Sequence, residues 1–234
     1  MPRLNRSVLL AAELCAGFVL SARCPLCGSA SKSGSQPFCS GCEAGFSPAD
    51  DYAPDWAIPA DRAVYYDGTV SLYRYDAVLR RVVSALKSGD HPEIAGCLGR
   101  MAAERLRNYP RPGLVTFVPV SSRRRRERGY NQAELIARSL GRSLGIPVKA
   151  VLNVSGEGNQ KRMHYHERFL NMVGRFSCRE RFSPGTSVLL VDDVFTTGAT
   201  VNECARVLKK MGASPVFSLT IARVDDKKVS VVGS

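Results

Sequence analysis

The chain has 234 residues and a formal net charge of +12, with 33 lysines and arginines against 21 acidic residues. Because a single hydrophobic core stops growing near ~250 residues, this length predicts one main domain with a small appendage and leaves no room for a second full-sized domain. The positive charge favours polyanionic partners, a pyrophosphate compound or a nucleic acid, and does not choose between them.

The first predicted element is an amphipathic helix near the amino terminus. Arg3 and Arg6 precede an apolar stretch, residues 8–20, as in a signal peptide, but Glu13 interrupts that stretch. A membrane-spanning helix needs ~20 apolar residues, and no other segment of the sequence reaches that length. We therefore expect no insertion into a membrane.

A doubled C-x-x-C pattern follows, and with the helix it defines a predicted segment at 1–46. Each C-x-x-C turn can place two thiolates about 2.3 Å from one ion, and two turns close a tetrahedral zinc site. Such a zinc would be structural, because the segment is too small for a core of its own. Two disulfides or a redox dithiol are the alternatives. Zinc-binding thiols must stay reduced, which favours the cytoplasm. The four cysteines are Cys24, Cys27, Cys39 and Cys42.

Residues 47–112 are predicted to contain a linker and an accessory region. Three prolines and several acidic residues indicate a linker at 47–62. Beyond it, strand-like composition on both sides of the Asp67-Gly68 pair predicts a β-hairpin. Apolar residues at helical spacing predict helices at 75–87 and 92–108. The hairpin and helices, residues 63–112, are expected to form an accessory or hood region.

The main domain is predicted at 113–226, with a polar tail at 227–234. Alternating strands and helices imply a parallel sheet with right-handed crossovers, so the expected fold class is α/β, a central parallel sheet flanked by helices. A helix at 133–144 follows the first strand. The strands of this sheet are predicted from apolar runs at 115–120, 148–154, 172–178, 188–191 and 216–222.

The run from Val188 to Thr200, VLLVDDVFTTGAT, predicts a sugar-phosphate site. Its uninterrupted apolar start is typical of a central parallel strand, and ligands of open α/β sheets bind at the carboxyl ends of such strands. Asp192 and Asp193 follow there and suit two hydroxyls of a sugar, with magnesium available to offset their mutual repulsion. The next turn begins a helix, whose unpaired N–H groups suit a phosphate dianion. The residues of that turn are Thr196, Thr197, Gly198, Ala199 and Thr200.

Two further segments carry charge towards this site. Residues 121–132 form a predicted ligand-side loop with five arginines, among them Arg123 and Arg128, which could bind pyrophosphate. A solvated patch or a nucleic-acid footprint explains these arginines as well. Residues 155–171 are long, charged and weakly patterned, as expected of a mobile lid. Lid residues that could close over the ligand and exclude water are Gln160, Arg168 and Asn171.

The run at 188–200 resembles the 5-phosphoribosyl-1-pyrophosphate (PRPP) motif of type I phosphoribosyltransferases. In that family the paired acids hold the ribose 2′- and 3′-hydroxyls and the threonine-glycine turn holds the 5′-phosphate. The resemblance implies that Asp192 and Asp193 are the catalytic pair and that residues 196–200 bind the phosphate. It also implies the type I phosphoribosyltransferase fold.

Further motifs narrow the resemblance to the ComF-like competence proteins, which pair a four-cysteine zinc finger with such a transferase domain. These motifs are the cysteine quartet, the Val118-Pro-Val run and the Arg128-Gly-Tyr-Asn-Gln132 run, and the resemblance covers roughly residues 15–225. Lys87 matches a Leu-Lys position of that family and is a further pyrophosphate candidate. A helix-end cation explains Lys87 equally well.

The resemblance implies a bacterial cytosolic protein associated with the uptake of single-stranded DNA in natural transformation, or with related carbon-utilisation loci. It also implies magnesium-dependent transfer of a phosphoribosyl group from PRPP to an unnamed nitrogen acceptor. Two alternatives are open. One is a module that binds single-stranded DNA or a DNA-uptake helicase without turnover. The other is a regulator that senses PRPP.

Overall fold

The computed structural model describes residues 23–31, 35–49, 63–155 and 172–224. The chain divides into two compact units, Met1–Gly45 and Phe46–Ser234. The predicted amino-terminal helix, most of the predicted linker, the lid candidates and the tail lie outside the described residues. None of the helices that the structure does describe has the length and apolar content needed to cross a membrane.

The first unit contains the cysteine-rich segment and a short helix, α1 (Ser40–Ala44). Gly28 has a positive φ of 76° and donates its N–H to Cys24 O at 2.8 Å, which closes a tight turn around the first C-x-x-C pair. Cys24 and Phe38 are buried. The segment therefore has a minimal apolar centre beside its cysteines.

The second unit is built on a parallel sheet. In the described residues, the strands β1, β6, β5 and β2 lie side by side in that order, and each neighbouring pair is parallel. The four residues 188–191 are all buried, which shows that both faces of β5 are covered. The strands of the second unit are β1 (Gly68–Arg74), β2 (Leu114–Phe117), β3 (Leu152–Val154), β4 (Phe176–Cys178), β5 (Val188–Phe195) and β6 (Val216–Arg223).

The predicted hairpin around Asp67-Gly68 is wrong. Strand β1 pairs in parallel with β6 instead, with Gly68 opposite Phe217. The carboxylate of Asp67 accepts a hydrogen bond from the N–H of Val216 and forms an ion pair with Lys209, both at 2.7 Å. Asp67 thus joins the start of β1 to the start of β6, and these long-range bonds override the local turn preference of the Asp-Gly pair.

The prediction of five parallel strands is also corrected. Strands β3 and β4 pair with each other in antiparallel fashion, outside the main sheet. Hydrophobic content predicted that these segments are extended, but it carries no information on the direction in which they pair. Of the predicted strand at 148–154, Val148 forms one isolated parallel bridge with Val115 of β2, and the fourth strand of the main sheet is β1, beside β6.

The first residues of the predicted linker are part of the fold. Ala49 donates its N–H to Leu72 O at 3.0 Å, and Arg74 donates its N–H to Ser47 O at 2.9 Å. Residues 47–49 therefore pair with the outer edge of β1, where an exposed strand would otherwise leave backbone groups unpaired.

Five helices of the second unit are described, and four of them confirm the predicted helices to within a few residues. The remaining helix, α4, corrects the prediction that the arginine-rich segment is a loop: Ser121 caps its start and Gly129, at φ 79°, ends it. The helices are α2 (Ala77–Ser88), α3 (Pro92–Arg105), α4 (Ser122–Arg128), α5 (Gln132–Leu144) and α6 (Ala199–Lys210).

Candidate functional site

Asp192 and Asp193 lie near the carboxyl end of β5, in the wall of a cavity of about 820 Å³. Both aspartates belong to the strand itself and do not follow it as predicted, because β5 stays paired with β6 as far as Phe195. The apolar run ends at Val191, which is why the sequence predicted a shorter strand. Other parts of the wall come from the end of α2, the start of α5, α4 and β4.

The two carboxyl groups have different surroundings. Asp193 forms an ion pair with Lys87, whose Nζ lies 2.8 Å from its Oδ2. The backbone N–H of Asp193 donates to Oδ1 of Asp192 at 2.8 Å. Burial, and then the negative charge of Asp193, raise the pKa of Asp192 to about 8. In the free protein these surroundings favour the protonated form of Asp192, while Asp193 is paired with a cation.

The raised pKa of Asp192 predicts a pH dependence of stability. The folded protein binds this proton more tightly than the unfolded chain, so its contribution to stability is complete below pH 4 and is lost as the pH rises through about 8. An amide cannot ionise. We expect the Asp192→Asn variant to gain at least ~1 kcal/mol in free energy of unfolding relative to wild type between pH 5 and pH 8.5.

Urea unfolding of both proteins in metal-free buffer at several pH values measures this difference. A gap between variant and wild type that stays constant from pH 5 to pH 8.5 would contradict the prediction, because groups common to both proteins cancel in the comparison.

The threonine-glycine turn begins α6, as predicted. Gly198 is the N-cap with φ 70°, and a Cβ added there would lie 2.7 Å from the ring of Phe195. Thr197 is buried and its Oγ1 accepts the N–H of Ala199 at 3.3 Å. Thr200 lines the cavity of the aspartates, whereas residues 196–199 form the turn beside it.

The arginines of α4 divide into two groups. Arg123 and Arg128 line the cavity together with Arg124, which places both predicted pyrophosphate candidates in the same cavity as the aspartates. Arg125 instead pairs with Glu134 at 3.4 Å. Lys87 also lines the cavity. The structure thus places cations of α2 and α4 in one cavity with the carboxyl groups of β5.

Asn131 and Gln132 belong to this site, although no individual role was predicted for them. Asn131 caps α5 by accepting the N–H of Ala133 at 3.0 Å, and it donates to Val118 O at 2.9 Å. Arg128 donates to Oε1 of Gln132 at 3.1 Å, which fixes the orientation of the Gln132 amide. The only signal available in the sequence was the Arg-Gly-Tyr-Asn-Gln run at the predicted start of this helix.

Gln132 carries an unsatisfied donor. The residue is only 2% exposed, it lines the cavity, and its Nε2 has no hydrogen-bond partner within the described structure. A buried donor without a partner costs ~1–3 kcal/mol, so few are retained without a reason. The geometry of Gln132 is that of a donor which a bound ligand would satisfy.

The lid candidates Gln160, Arg168 and Asn171 lie outside the described residues. The described residues on either side of that segment, Val154 and Met172, both line the cavity. The predicted lid segment therefore leaves and rejoins the described structure at the site.

The four cysteines of the first unit form a candidate metal centre. Their Sγ atoms all lie within 4.8 Å of one another, and those of Cys27 and Cys39 are 3.6 Å apart. Tetrahedral zinc with bonds of about 2.3 Å places its sulfur ligands roughly 3.8 Å apart, so the donor set fits the ion. None of the four forms a disulfide, which corrects that alternative. Hydrogen bonds from Ser29 lower the pKa of Cys27 to about 6, whereas burial and the neighbouring cysteines raise the pKa of Cys42 to about 12. A bound cation would favour the thiolate form of all four cysteines.

Comparison with known proteins identifies the family. The model of the phosphoribosyl transferase domain matches residues 89–231, which include strands β2, β5 and β6 of the main sheet, most of the residues that line the cavity and the aspartate pair. The chain belongs to this family. Its parallel sheet flanked by helices is accordingly the type I phosphoribosyltransferase fold.

Curated relatives place the chain among the ComF-like competence proteins. It is 33% identical to the DNA utilization protein YhgH of Salmonella typhi, over 63% of this chain and 68% of that protein. It is 30% identical to the competence protein ComFC of Bacillus subtilis (65% and 63%) and 35% identical to competence protein F of Haemophilus influenzae (52% and 55%). The matches therefore span between about half and two thirds of the length of these relatives.

A solved structure is similar at the level of the fold. The chain is 17% identical to the adenine phosphoribosyltransferase of Leishmania tarentolae, over 60% of this chain and 74% of that chain, with a TM-score of 0.37. A similarity of this size carries no argument about the site.

Proposed function

We propose that the protein binds PRPP in the cavity of Asp192 and Asp193 and transfers its phosphoribosyl group to a nitrogen acceptor. The observation that supports this most directly is the placement of two adjacent carboxyl groups in one cavity with Lys87, Arg123 and Arg128. A ligand that offers neighbouring hydroxyls and a separate polyanionic group is complementary to both sides of such a cavity.

Each part of PRPP has a proposed partner. Asp192 and Asp193 accept hydrogen bonds from the two ribose hydroxyls. The turn at 196–200 holds the 5′-phosphate at the amino end of α6, where backbone N–H groups and the helix dipole favour an anion. Lys87, Arg123 and Arg128 hold the pyrophosphate.

The transfer reaction needs partners for two developing charges. The acceptor nitrogen forms a bond to ribose carbon 1 while the bond from that carbon to pyrophosphate breaks. Pyrophosphate leaves with the electron pair, and the acceptor loses a proton. The carboxyl groups of 192 and 193 lie beside the sugar, where they stabilise positive charge on its ring, as in glycoside hydrolysis. The cations stabilise the charge on the departing pyrophosphate.

Magnesium fits this proposed site. It prefers hard oxygen ligands, and the carboxylate oxygens of Asp192 and Asp193 together with substrate phosphates are of that kind. Bound magnesium would neutralise charge on the pyrophosphate as it leaves. The zinc of the cysteine cluster would have a structural role, since four thiolates leave no coordination position open for substrate.

The test of PRPP binding is a calorimetric titration of the purified chain with PRPP and magnesium, followed by a screen of nitrogen acceptors for release of pyrophosphate. We expect saturable binding with one PRPP per chain. Absence of binding heat, together with no protection of the cavity residues from hydrogen exchange, would exclude the proposed function.

Gln132 is expected to contribute to this binding through its unsatisfied Nε2. The Gln132→Met variant keeps the length of the side chain and removes the amide, so PRPP should bind ~10-fold more weakly, as expected for a hydrogen bond to a charged group. Thermal unfolding of the ligand-free variant checks that the fold is kept. Wild-type PRPP affinity in a folded Gln132→Met protein would contradict this role.

A second function, binding of single-stranded DNA, is favoured by the exposed arginines of α4 that do not line the cavity. Arg125 and Arg126 are exposed and lie outside the cavity wall. Together with the net charge of +12, they offer a surface for a phosphate backbone. In this proposal the protein acts in bacterial DNA uptake, in the cytoplasm, beside a helicase that handles the incoming strand.

The double variant Arg125→Gln, Arg126→Gln tests the DNA-binding surface. If both side chains contact phosphates of single-stranded DNA, the slope of log affinity against log salt should fall by about 1.4. Fluorescence anisotropy with a labelled oligonucleotide measures the slope, and PRPP binding serves as the control that should not change. An unaltered slope would remove these two arginines from the DNA-binding surface.

A further inference from the structure

Lys87 forms an ion pair with Asp193 in the free protein, and the pyrophosphate of PRPP would offer its ammonium group a second possible partner. Its Nζ lies 2.8 Å from Oδ2 of Asp193, and its side chain remains 34% exposed towards the cavity. The inference below rests on the proposed function, because it concerns what happens to this ion pair when PRPP binds.

The backbone that carries Lys87 is held firmly. Lys87 lies in the last turn of α2, where carbonyl groups lack partners within the helix. Tyr130 fills one of these positions by donating its hydroxyl to Leu86 O at 2.8 Å. Gly89 ends the helix at φ 93°, and a Cβ added there would lie 3.0 Å from Arg128 O. The end of α2 is therefore packed against the segment that supplies Arg128 and Gln132 to the cavity.

The side chain of Lys87 has more freedom than its backbone. A four-carbon stem with a single charged group can reach several positions from one fixed Cα. Partly exposed ion pairs contribute little net stability, so moving the ammonium group away from Asp193 costs little if another anion receives it. The cavity that would receive the pyrophosphate is lined by Lys87 itself.

Asp193 binds Lys87 in the free protein but is proposed to bind a ribose hydroxyl in the complex. Its Oδ2 holds the Lys87 ammonium in the free protein, and only 17% of its side chain is exposed, so the ammonium covers part of the surface through which the proposed ribose hydroxyl would reach the carboxylate. Without the Lys87 ammonium, the largely buried charge of Asp193 would lose this ionic partner. The ion pair thus stabilises the charge of Asp193 in the free protein. In the complex, the same ion pair would compete with the ribose hydroxyl for Asp193.

We propose that Lys87 is an exchange cation that pairs with Asp193 in the free protein and with the pyrophosphate of PRPP in the complex. A ligand with a pyrophosphate group compensates the release of Lys87 by providing a new anionic partner. Ribose 5-phosphate has the same sugar and the same 5′-phosphate but no group to receive the ammonium, so it must compete with Lys87 for Asp193. Lys87 therefore makes the site select PRPP over ribose 5-phosphate.

The Lys87→Met variant tests the proposal, because it keeps the apolar stem and removes the charge. We expect PRPP to bind at least ~10-fold more weakly, the loss of one charge-assisted contact. Ribose 5-phosphate should bind with unchanged or higher affinity, because its competitor for Asp193 is gone. The ratio of the two dissociation constants, measured by calorimetry at matched magnesium concentrations, should fall by at least the same factor.

Lys209→Met is the matched control. Lys209 also forms an ion pair at 2.7 Å, with Asp67, and is 32% exposed, but it lies outside the cavity. Its replacement should leave both affinities unchanged. The conservative Lys87→Arg variant keeps a cation and should retain most of the selectivity, which separates the charge from a general effect of substitution on the fold.

The outcomes distinguish this inference from the proposed function. If the wild-type chain does not bind PRPP, the proposed function fails and the inference fails with it. If the wild-type chain binds PRPP but Lys87→Met weakens both ligands equally, or neither, the site stands and the exchange role of Lys87 is overturned. Weaker binding of PRPP with unchanged or tighter binding of ribose 5-phosphate supports the exchange, whereas a larger loss for ribose 5-phosphate overturns it.

Discussion

The Asp192→Asn, Asp193→Asn variant should lose PRPP binding. Both substitutions keep the shape of the side chain, but each replaces one acceptor oxygen with a donor NH₂ group, which meets a ribose hydroxyl less well. The two aspartates also supply two of the three acidic side chains among the described lining residues of the cavity, whose other charged residues are cations. With two charge-assisted hydrogen bonds removed, the affinity measured by calorimetry should fall at least ~100-fold.

The controls for this variant separate the site from the fold. Asp67→Asn removes a carboxylate that pairs with a lysine elsewhere on the sheet, and it should not change PRPP affinity. The affinity for single-stranded DNA should also be nearly unchanged, since α4 presents its outward arginines on a different surface. Equal loss of PRPP and DNA binding in the double variant would show that the two ligands share one surface, which would contradict the proposal of separate surfaces.

Removal of zinc should unfold the cysteine-rich unit. Few apolar side chains are buried among its described residues, so the metal is expected to supply most of its folding free energy. A strong chelator should increase amide exchange in residues 23–31 and 35–45 by at least ~100-fold, measured by mass spectrometry. Peptides from β5 serve as the internal reference and should keep their protection.

A single ligand substitution tests the same site without a chelator. Cys27→Ser leaves three thiolates and should release the metal, measured as zinc content per chain, with the same loss of exchange protection. Cys178→Ser is the matched control, because Cys178 is a free cysteine in β4, outside the cluster. Retention of a full zinc content by Cys27→Ser would contradict the four-thiolate site.

The parts of the site that the sequence predicted are those whose chemistry follows from adjacent residues. A buried apolar run followed by Asp192 and Asp193 and by a glycine-containing turn constrains strand, carboxyl groups and helix start together. Cys24 and Cys27 were identifiable for the same reason, because a C-x-x-C turn is local. Such local patterns predict the folded structure well, because few alternative structures satisfy all of them at once.

The parts that were missed depend on residues far apart in the chain. Asp67 begins a parallel strand because Val216 and Lys209 bind its carboxylate, and neither partner is visible from the local turn pattern. The antiparallel pairing of β3 with β4 likewise depends on how distant parts of the chain come together, which a local hydrophobic pattern does not show. The unsatisfied amide of Gln132 exists only because Arg128 takes its oxygen while the surrounding packing excludes a partner for its nitrogen.

The backbone pairing of residues 47–49 with β1 determines where a shortened, separately expressed transferase fragment has to begin. Ser47 also donates to Asp76, the residue that caps α2, at 2.9 Å, and the ring of Phe46 contacts that of Tyr73. A fragment that starts at Ala63 would lose these contacts and leave one side of β1 open to pair with neighbouring molecules. A fragment that starts at Phe46 keeps the outer edge of β1 paired. It also keeps the bond from Ser47 to the cap of α2, the helix whose far end carries Lys87.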